Sequence, residues 1–227
     1  MLQLYIGNKN YSSWSMRAWV LLRQAGIPFE EKTVRFDSFE PQSVFKRTMN
    51  ALSPTGTVPL LIDGEVKIWD SLAIAEYVAE QFPEKQLWPQ DKTARAAARS
   101  VTAEMHSGFT ALRSACIMNI EADLADAGRI IWRDKPGVRK DLEHLIATWR
   151  RLLDLHGGPM LFGAFSIADA FFAPVCCRIK TYGLPVPAEI AAYVDRVRQL
   201  PGVQAWITGA LAEHDFFTMD EPYRVQR

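Results

Sequence analysis

The sequence predicts an α/β domain followed by an all-α domain, and three observations carry that prediction. From residue 2 to residue 82, segments with strand periodicity alternate with segments of helical periodicity. A short polar stretch bounded by prolines, Pro83-Glu84-Lys85-Gln86-Leu87-Trp88-Pro89, then interrupts the pattern. Beyond it the strand patterns vanish and the apolar residues recur at helical spacing. The expected division is a first domain over 1–83, a linker over 84–92 and a helical domain over 93–227.

Leu2, Leu4 and Ile6 fall on one face of a first strand. Gly7 and the polar run Asn8-Lys9-Asn10-Tyr11-Ser12-Ser13-Trp14-Ser15 lead into a helix marked by Met16, Trp19, Val20 and Leu22 and stopped by Gly26 and Pro28. Phe29–Val34 alternates weakly, as a second strand. Pro41 suits the first turn of a short helix within the polar segment Arg35–Asn50. Ser-Pro and Thr-Gly turn signals at residues 53–56 precede Val58-Pro59, a third strand, an Asp63-Gly64 hairpin turn and a returning strand over Val66–Trp69. Asp70-Ser71 opens a helix with Leu72, Ala75, Val78 and Phe82 on one face, ended by Pro83. These elements make one four-stranded sheet with helices packed on it.

In the second domain, Val101, Met105, Phe109, Leu112 and Cys116 predict one long helix, and Leu142, Leu145, Trp149 and Leu152 another. Ser166-Ile167-Ala168-Asp169 starts a helix that is apolar almost all round, which argues for burial at the centre of a bundle. Its Ser166 and Asp169 have the spacing of a capping box, a folding role rather than a chemical one. Helices over Ala188–Leu200 and Val203–Glu213 complete the domain.

The 227 residues hold 26 basic and 26 acidic side chains, so no net field draws the chain to nucleic acid or anionic lipid. No apolar run approaches the roughly 20 residues of a membrane span, and the first residues lack the basic-then-apolar pattern of a secretory signal. Three cysteines, two of them adjacent at 176 and 177, make a poor disulfide framework. The four histidines are scattered and no Cys/His cluster has zinc-ligand spacing, so no metal is expected. A cytoplasmic protein without nucleic-acid or membrane partners is the expectation.

Three features of the first domain point to a ligand. A helix start offers unpaired N–H groups and partial positive charge, so serines there can serve a thiolate, carboxylate or phosphate, or can simply cap the helix. Pro59, inside a strand-like segment, marks an edge, a bulge or a cis bond, and a cis Val58-Pro59 bond would turn the Val58 backbone outward to pair with an extended peptide. Asp70-Ser71 at a helix start supplies a carboxylate, a hydroxyl and N–H groups for a carboxylate and an ammonium on one ligand.

Together these segments resemble the cytosolic glutathione transferase family over the whole chain. Ser53-Pro54-Thr55-Gly56-Thr57-Val58-Pro59 and Asp70-Ser71-Leu72-Ala73-Ile74-Ala75-Glu76-Tyr77 look like its two first-domain motifs, and Phe165-Ser166-Ile167-Ala168-Asp169 looks like its buried helix start. The resemblance implies a thioredoxin-like first domain with a mixed sheet, glutathione as co-substrate, a small electrophile bound against the helical domain, and a homodimer. Ser12-Ser13-Trp14-Ser15-Met16-Arg17 is most similar to a bacterial, zeta-like serine loop, with Trp14 where the zeta class has cysteine. It implies that Ser12, by counting back from Arg17, or else Ser13, activates the glutathione thiol. Ser15, Arg17, Val58, Pro59, Asp70 and Ser71 become the glutathione-binding residues, with Lys46 and Gln42 as weaker candidates. Met105, His106, Phe109 and Arg113 lie near the expected electrophile pocket, Met105 and Phe109 more simply as core. Alkyl or aryl transfer is the activity implied; a maleylacetoacetate isomerase-like reaction and a non-catalytic binding protein of the same fold are the alternatives.

Overall fold

A computed structural model describes residues 1–227. Its first domain runs β1 (Leu2–Ile6), α1 (Ser13–Gln24), β2 (Phe29–Thr33), α2 (Val44–Leu52), β3 (Leu60–Asp63), β4 (Val66–Ile68) and α3 (Ser71–Gln81). The four strands form one mixed sheet in the order β2-β1-β3-β4. β1 is parallel to β2, with Leu2 opposite Phe29, and antiparallel to β3, with Leu4 opposite Leu61. The hairpin β3-β4 turns at Gly64, whose φ of +57 favours glycine. Leu2, Leu4 and Ile6 are buried as the alternation requires, whereas charged β2 lies at the sheet edge and stays partly exposed.

The short helix α2 starts later than Pro41 suggests. Ser43, not a residue beside Pro41, is its N-cap and accepts from the Lys46 N–H at 3.1 Å. Asp37 reaches back to the same helix start and accepts from the Val44 and Phe45 N–H groups.

The second domain is helical throughout: α4 (Lys92–Ser107), α5 (Thr110–Ala115), α6 (Ala125–Asp134), α7 (Pro136–His156), α8 (Ile167–Thr181), α9 (Ala188–Gln199) and α10 (Pro201–Glu213). The expected long helix through Val101 and Cys116 is instead two helices. Gly108 caps α4, and Phe109 takes a left-handed φ of 54 before α5 begins. Arg113 accounts for the break energetically, because its guanidinium donates to the freed carbonyls of His106 and Gly108. Helix α6 had no apolar pattern strong enough to be read, since only Gly128 and Ile131 are buried along it.

Helix α8 is the axis of the bundle. All but one of its 15 residues are buried, and it packs against α1, α4 and α9. Asp169 at its start accepts from the Ser166 N–H, the Leu161 N–H and the Tyr193 hydroxyl. Those bonds satisfy a carboxylate whose burial raises its pKa. One apolar core runs unbroken from β1 and α1 through α8 to α10, so the first domain's site loop is fixed against the second domain.

Candidate functional site

The loop between β1 and α1 sits at the junction of both domains, and neighbours on every side hold it. The Asn10 side-chain oxygen accepts from the backbone N–H groups of Ile120 and Glu121, at 2.8 and 2.9 Å. The Tyr11 hydroxyl donates to Glu221 at 2.7 Å and accepts from the Phe217 N–H. Burial pushes the Tyr11 pKa up to about 12. Its proton is engaged in fastening the C-terminal segment, not in reaching a thiol.

Ser12 is the N-cap of α1. Its oxygen accepts from the Ser15 N–H at 3.4 Å, and its hydroxyl donates to Ser15 Oγ at 2.7 Å. Ser15 Oγ in turn accepts from the Gly7 N–H at 3.2 Å. Ser13, the first residue of α1, is held differently. Its oxygen accepts from Nη2 of Arg178 at 3.2 Å, and its own proton has no partner in the chain. Arg178 comes from α8, 165 residues away, and its Nε donates to the Cys116 carbonyl at 2.7 Å.

Trp14 faces the cleft, and two guanidiniums lie on its ring. Arg17 sits 4.4 Å and Arg113 4.7 Å from the ring centroid, and His106 meets it edge-on. Arg17 is therefore closed inside the domain junction, 1% exposed, rather than turned to a ligand. Its one hydrogen bond goes to the Met105 carbonyl, and burial beside Arg113 and Arg178 pulls its pKa down to about 9.

Two cavities meet at Trp14, Thr57 and Val58. The larger, about 280 Å³, is lined by Ser12, Ser13, Lys46, Arg178 and Asp220 among apolar neighbours that include Phe36, Ile117 and Met118. The smaller, about 230 Å³, is lined by Pro59, Asp70 and Ser71. Their shared walls make one cleft with two ends.

At the small end, Val58-Pro59 is a cis peptide, and the Val58 N–H and C=O make no hydrogen bond within the chain. Asp70 is the N-cap of α3, accepting from the Leu72 N–H at 3.0 Å, and its other oxygen pairs with Nε2 of His106 at 3.0 Å. Burial, with Arg17 and Arg113 nearby, outweighs Asp70 and lowers the His106 pKa, so the imidazole is neutral at neutral pH and its N–H donates. Ser71 is fully buried and its hydroxyl has no partner. A buried orphan hydroxyl facing a cavity is a vacancy for a polar ligand group.

None of Met105, His106, Phe109 and Arg113 lines the larger cavity. Met105 and Phe109 belong to the core, Arg113 serves the α4–α5 break, and Gln42 is exposed on a loop. The larger cavity is walled instead by Ile117 and Met118 after α5, by Arg178, and by Asp220 in the C-terminal segment. Lys46 lines the cavity, with its ammonium donating to the Gly56 carbonyl. Arg178 and Asp220 escaped sequence reasoning because nothing local marks them. An arginine directly after the apolar run Ala170–Cys177 of a buried helix was the one available signal for Arg178.

No helix is long and apolar enough to cross a membrane, and no group of three His, Cys, Asp or Glu side chains could hold a metal ion.

Comparison with known proteins matches this arrangement to a family. The glutathione S-transferase N-terminal domain family matches residues 11–81, and the C-terminal domain family matches residues 95–209. Glutathione S-transferase 1 of Dianthus caryophyllus is 32% identical over 81% of this chain and 80% of its own. A probable maleylacetoacetate isomerase of Caenorhabditis elegans is 34% identical over 48% of this chain and 49% of its own. A crystal structure of a glutathione transferase homolog from Burkholderia with bound glutathione superposes with a TM-score of 0.68 at 29% identity, covering 93% of this chain and 98% of that one. With both domain families matched in order along one chain, and the two-domain fold shared, the protein belongs to the glutathione S-transferase family.

Proposed function

We propose that this protein binds glutathione along the cleft and activates its thiol through a hydroxyl at the start of α1, for addition to a small electrophile. The observation that carries the reading is a row of polar groups without partners, spaced along one cleft: the Ser71 hydroxyl, the Val58 backbone and the Ser13 proton. The tripeptide's γ-glutamyl end would take Ser71, Asp70 and the α3 N-terminus, and its cysteine backbone would pair with Val58 beyond the cis Pro59. Its sulfur would then reach the large end of the cleft. Of the two candidate serines, the geometry favours Ser13, because the Ser12 proton already goes to Ser15.

The energies suffice. A thiol with a pKa near 8.5 is only a few per cent ionised at neutral pH. Lowering that pKa by about two units takes roughly 2.7 kcal/mol of preference for the thiolate. One hydrogen bond to a charged acceptor contributes roughly 1.5–3 kcal/mol, and the helix N-terminus up to about 1. No side-chain base is required.

A glutathione-dependent isomerisation is the second reading, favoured by the likeness to a relative named as a probable maleylacetoacetate isomerase. The three cysteines are buried and unpaired, in keeping with a cytoplasmic setting. A two-fold dimer is proposed from the family resemblance, and light scattering that finds a monomer at micromolar concentration overturns it. Calorimetric titration with glutathione, followed by a panel of electrophiles, tests the main reading. Binding that persists on deleting the tripeptide's γ-glutamyl residue would count against the assigned orientation, and no binding at all overturns the function.

A further inference from the structure

We infer that Arg178 is the counter-charge of the glutathione thiolate, holding the Ser13 oxygen so that the Ser13 proton is left for the sulfur. The inference rests on the glutathione reading of the cleft. Three guanidiniums, Arg17, Arg113 and Arg178, gather behind the first turn of α1. None of them has a carboxylate within ion-pair distance; the chain's arginine ion pairs are all elsewhere. Cations taken out of water without a counter-ion are costly, and Arg17 and Arg178 are buried here beside the half-buried Arg113, so their common field favours an anion.

Only one of the three touches both a site serine and the cavity. Arg17 and Arg113 are shut behind the Trp14 indole. Arg178 is 4% exposed, lines the cavity, and donates to Ser13 and to the Cys116 carbonyl, both neutral acceptors. Its hydrogen bonds all go to neutral groups, and Asp220, whose charge feels it, stays outside ion-pair distance. Burial and the neighbouring Arg113 pull its pKa down to about 10, the signature of a cation lacking its counter-ion. Asp220 lines the same cavity but makes no ion pair with Arg178.

The chemistry balances without a further group. The thiol S–H bond breaks, its proton passes to solvent water, and the electron pair stays on sulfur. The sulfur accepts a hydrogen bond from the Ser13 hydroxyl, whose oxygen is fixed from behind by Arg178. Arg178 thus acts through Ser13, as a positioning residue, and through its charge.

The test is the thiol pKa of bound glutathione, read from thiolate absorbance in the wild-type protein, Ser13→Ala, Arg178→Lys, Arg178→Gln and the double variant Ser13→Ala/Arg178→Gln. Loss of the charge in Arg178→Gln should raise that pKa by about one unit or more, and Arg178→Lys should recover part of the shift. The shift in the double variant should be smaller than the sum of the two single-variant shifts, because one residue acts through the other. Affinity for S-methylglutathione, which has no thiol to ionise, should change little. A side chain that merely braces the loop after α5 would alter melting temperature without moving the thiol pKa.

A folded, glutathione-binding Arg178→Gln with an unmoved thiol pKa overturns this inference and leaves the function standing. Wild-type protein that binds no glutathione overturns the function itself. If Arg178→Gln does not fold, the Arg178 guanidinium resonances of the wild type decide. They should titrate with the thiol in the glutathione complex and not in the S-methylglutathione complex; resonances that ignore the thiol overturn the inference.

Discussion

At the Ser71 end of the cleft, the polar groups lie within a few residues of strand and helix ends, and two of them, the Ser71 hydroxyl and the Val58 backbone, are left unpaired by their own fold. Ser71 has no partner, Val58 offers a free backbone, and Asp70 caps α3 from the adjacent position. At the Ser13 end most polar groups are already engaged, Ser12 and Ser15 with each other and several others by partners far away in sequence. Ser13 meets Arg178, Asn10 meets Ile120, and Tyr11 meets Glu221. The difference separates two ways of making a site. One end is a set of local vacancies that a ligand fills; the other is a network assembled by tertiary packing that a ligand must join. On the proposed reading, binding belongs to the first and reactivity to the second.

The largest effect expected from this contrast is on affinity. Ser71→Ala and Asp70→Ala should each weaken glutathione binding by about 1–3 kcal/mol, the cost of leaving a charged or buried ligand group unpaired. Calorimetry checks the loss, and unchanged affinity in both removes the site. The free proteins should behave unequally. Ser71→Ala deletes an orphan hydroxyl, so its unfolding free energy should hold or rise. Asp70→Ala deletes a helix cap and the partner of His106, so its stability should fall by about 1 kcal/mol.

Legibility in the sequence follows the same division. The local structure of the Ser71 end could be read because Ser53–Pro59 and Asp70–Tyr77 are continuous segments whose turns, cis-proline entry and cap are set by neighbouring residues. The fold was readable for a similar reason: β1, α1 and α8 carry strong periodicity or all-round apolarity. The break between α4 and α5 was not, because a Ser-Gly pair is a weak stop and the arginine that makes it affordable lies five residues further on. Arg178 and Asp220 join the thiol end only through packing over more than 160 residues, which no local pattern encodes.

The next effect is on turnover. Ser13→Ala should raise the pKa of the bound thiol by about one to two units, since one charge-assisted bond is worth roughly 1.5–3 kcal/mol. Turnover at neutral pH should then fall roughly ten- to a hundredfold, with affinity for glutathione little altered. Raising the assay pH should restore the rate. A loss that persists at high pH would show that Ser13 orients the substrate rather than its ionisation.

A smaller effect should appear in the pH dependence of stability. Burial first, then Glu221, raises the Asp220 pKa from 3.8 to about 6, with Arg178 opposing. Between those two values the folded state binds more protons than the unfolded one, so Asp220 lowers stability as pH rises through that window and adds no further change above it. Asp220→Asn should therefore gain on the wild type from pH 4 to about 6 and hold that gain at neutral pH. Solvent screening of a partly exposed group limits the gain to about 1 kcal/mol. Urea midpoints at three pH values measure it, and a difference that stays flat across the window refutes the assignment.

The smallest expected effect tests whether Ser12 belongs to the network or to the chemistry. Its hydroxyl donates to Ser15 at 2.7 Å, while its bond from the Ser15 N–H, at 3.4 Å, is long and weak. As a cap with one good side-chain bond, Ser12→Ala should cost about 1 kcal/mol of stability, within the ordinary range for N-cap loss. The thiol pKa should move by only a few tenths, through a slightly loosened first turn of α1. The alternative has a distinct signature, because a sulfur placed closer to Ser12 would draw its proton away from Ser15. Ser12→Ala would then raise the thiol pKa by about a unit or more while costing little stability, since the bond it lost would be one made only with ligand bound. Measuring both quantities in Ser12→Ala and Ser13→Ala therefore assigns the activating hydroxyl. Large pKa shift with Ser13 and large melting shift with Ser12 keeps the two serines in separate roles. The reverse pairing returns the activating role to Ser12, as counting back from Arg17 suggests, and makes Ser13 the residue that ties α1 to α8.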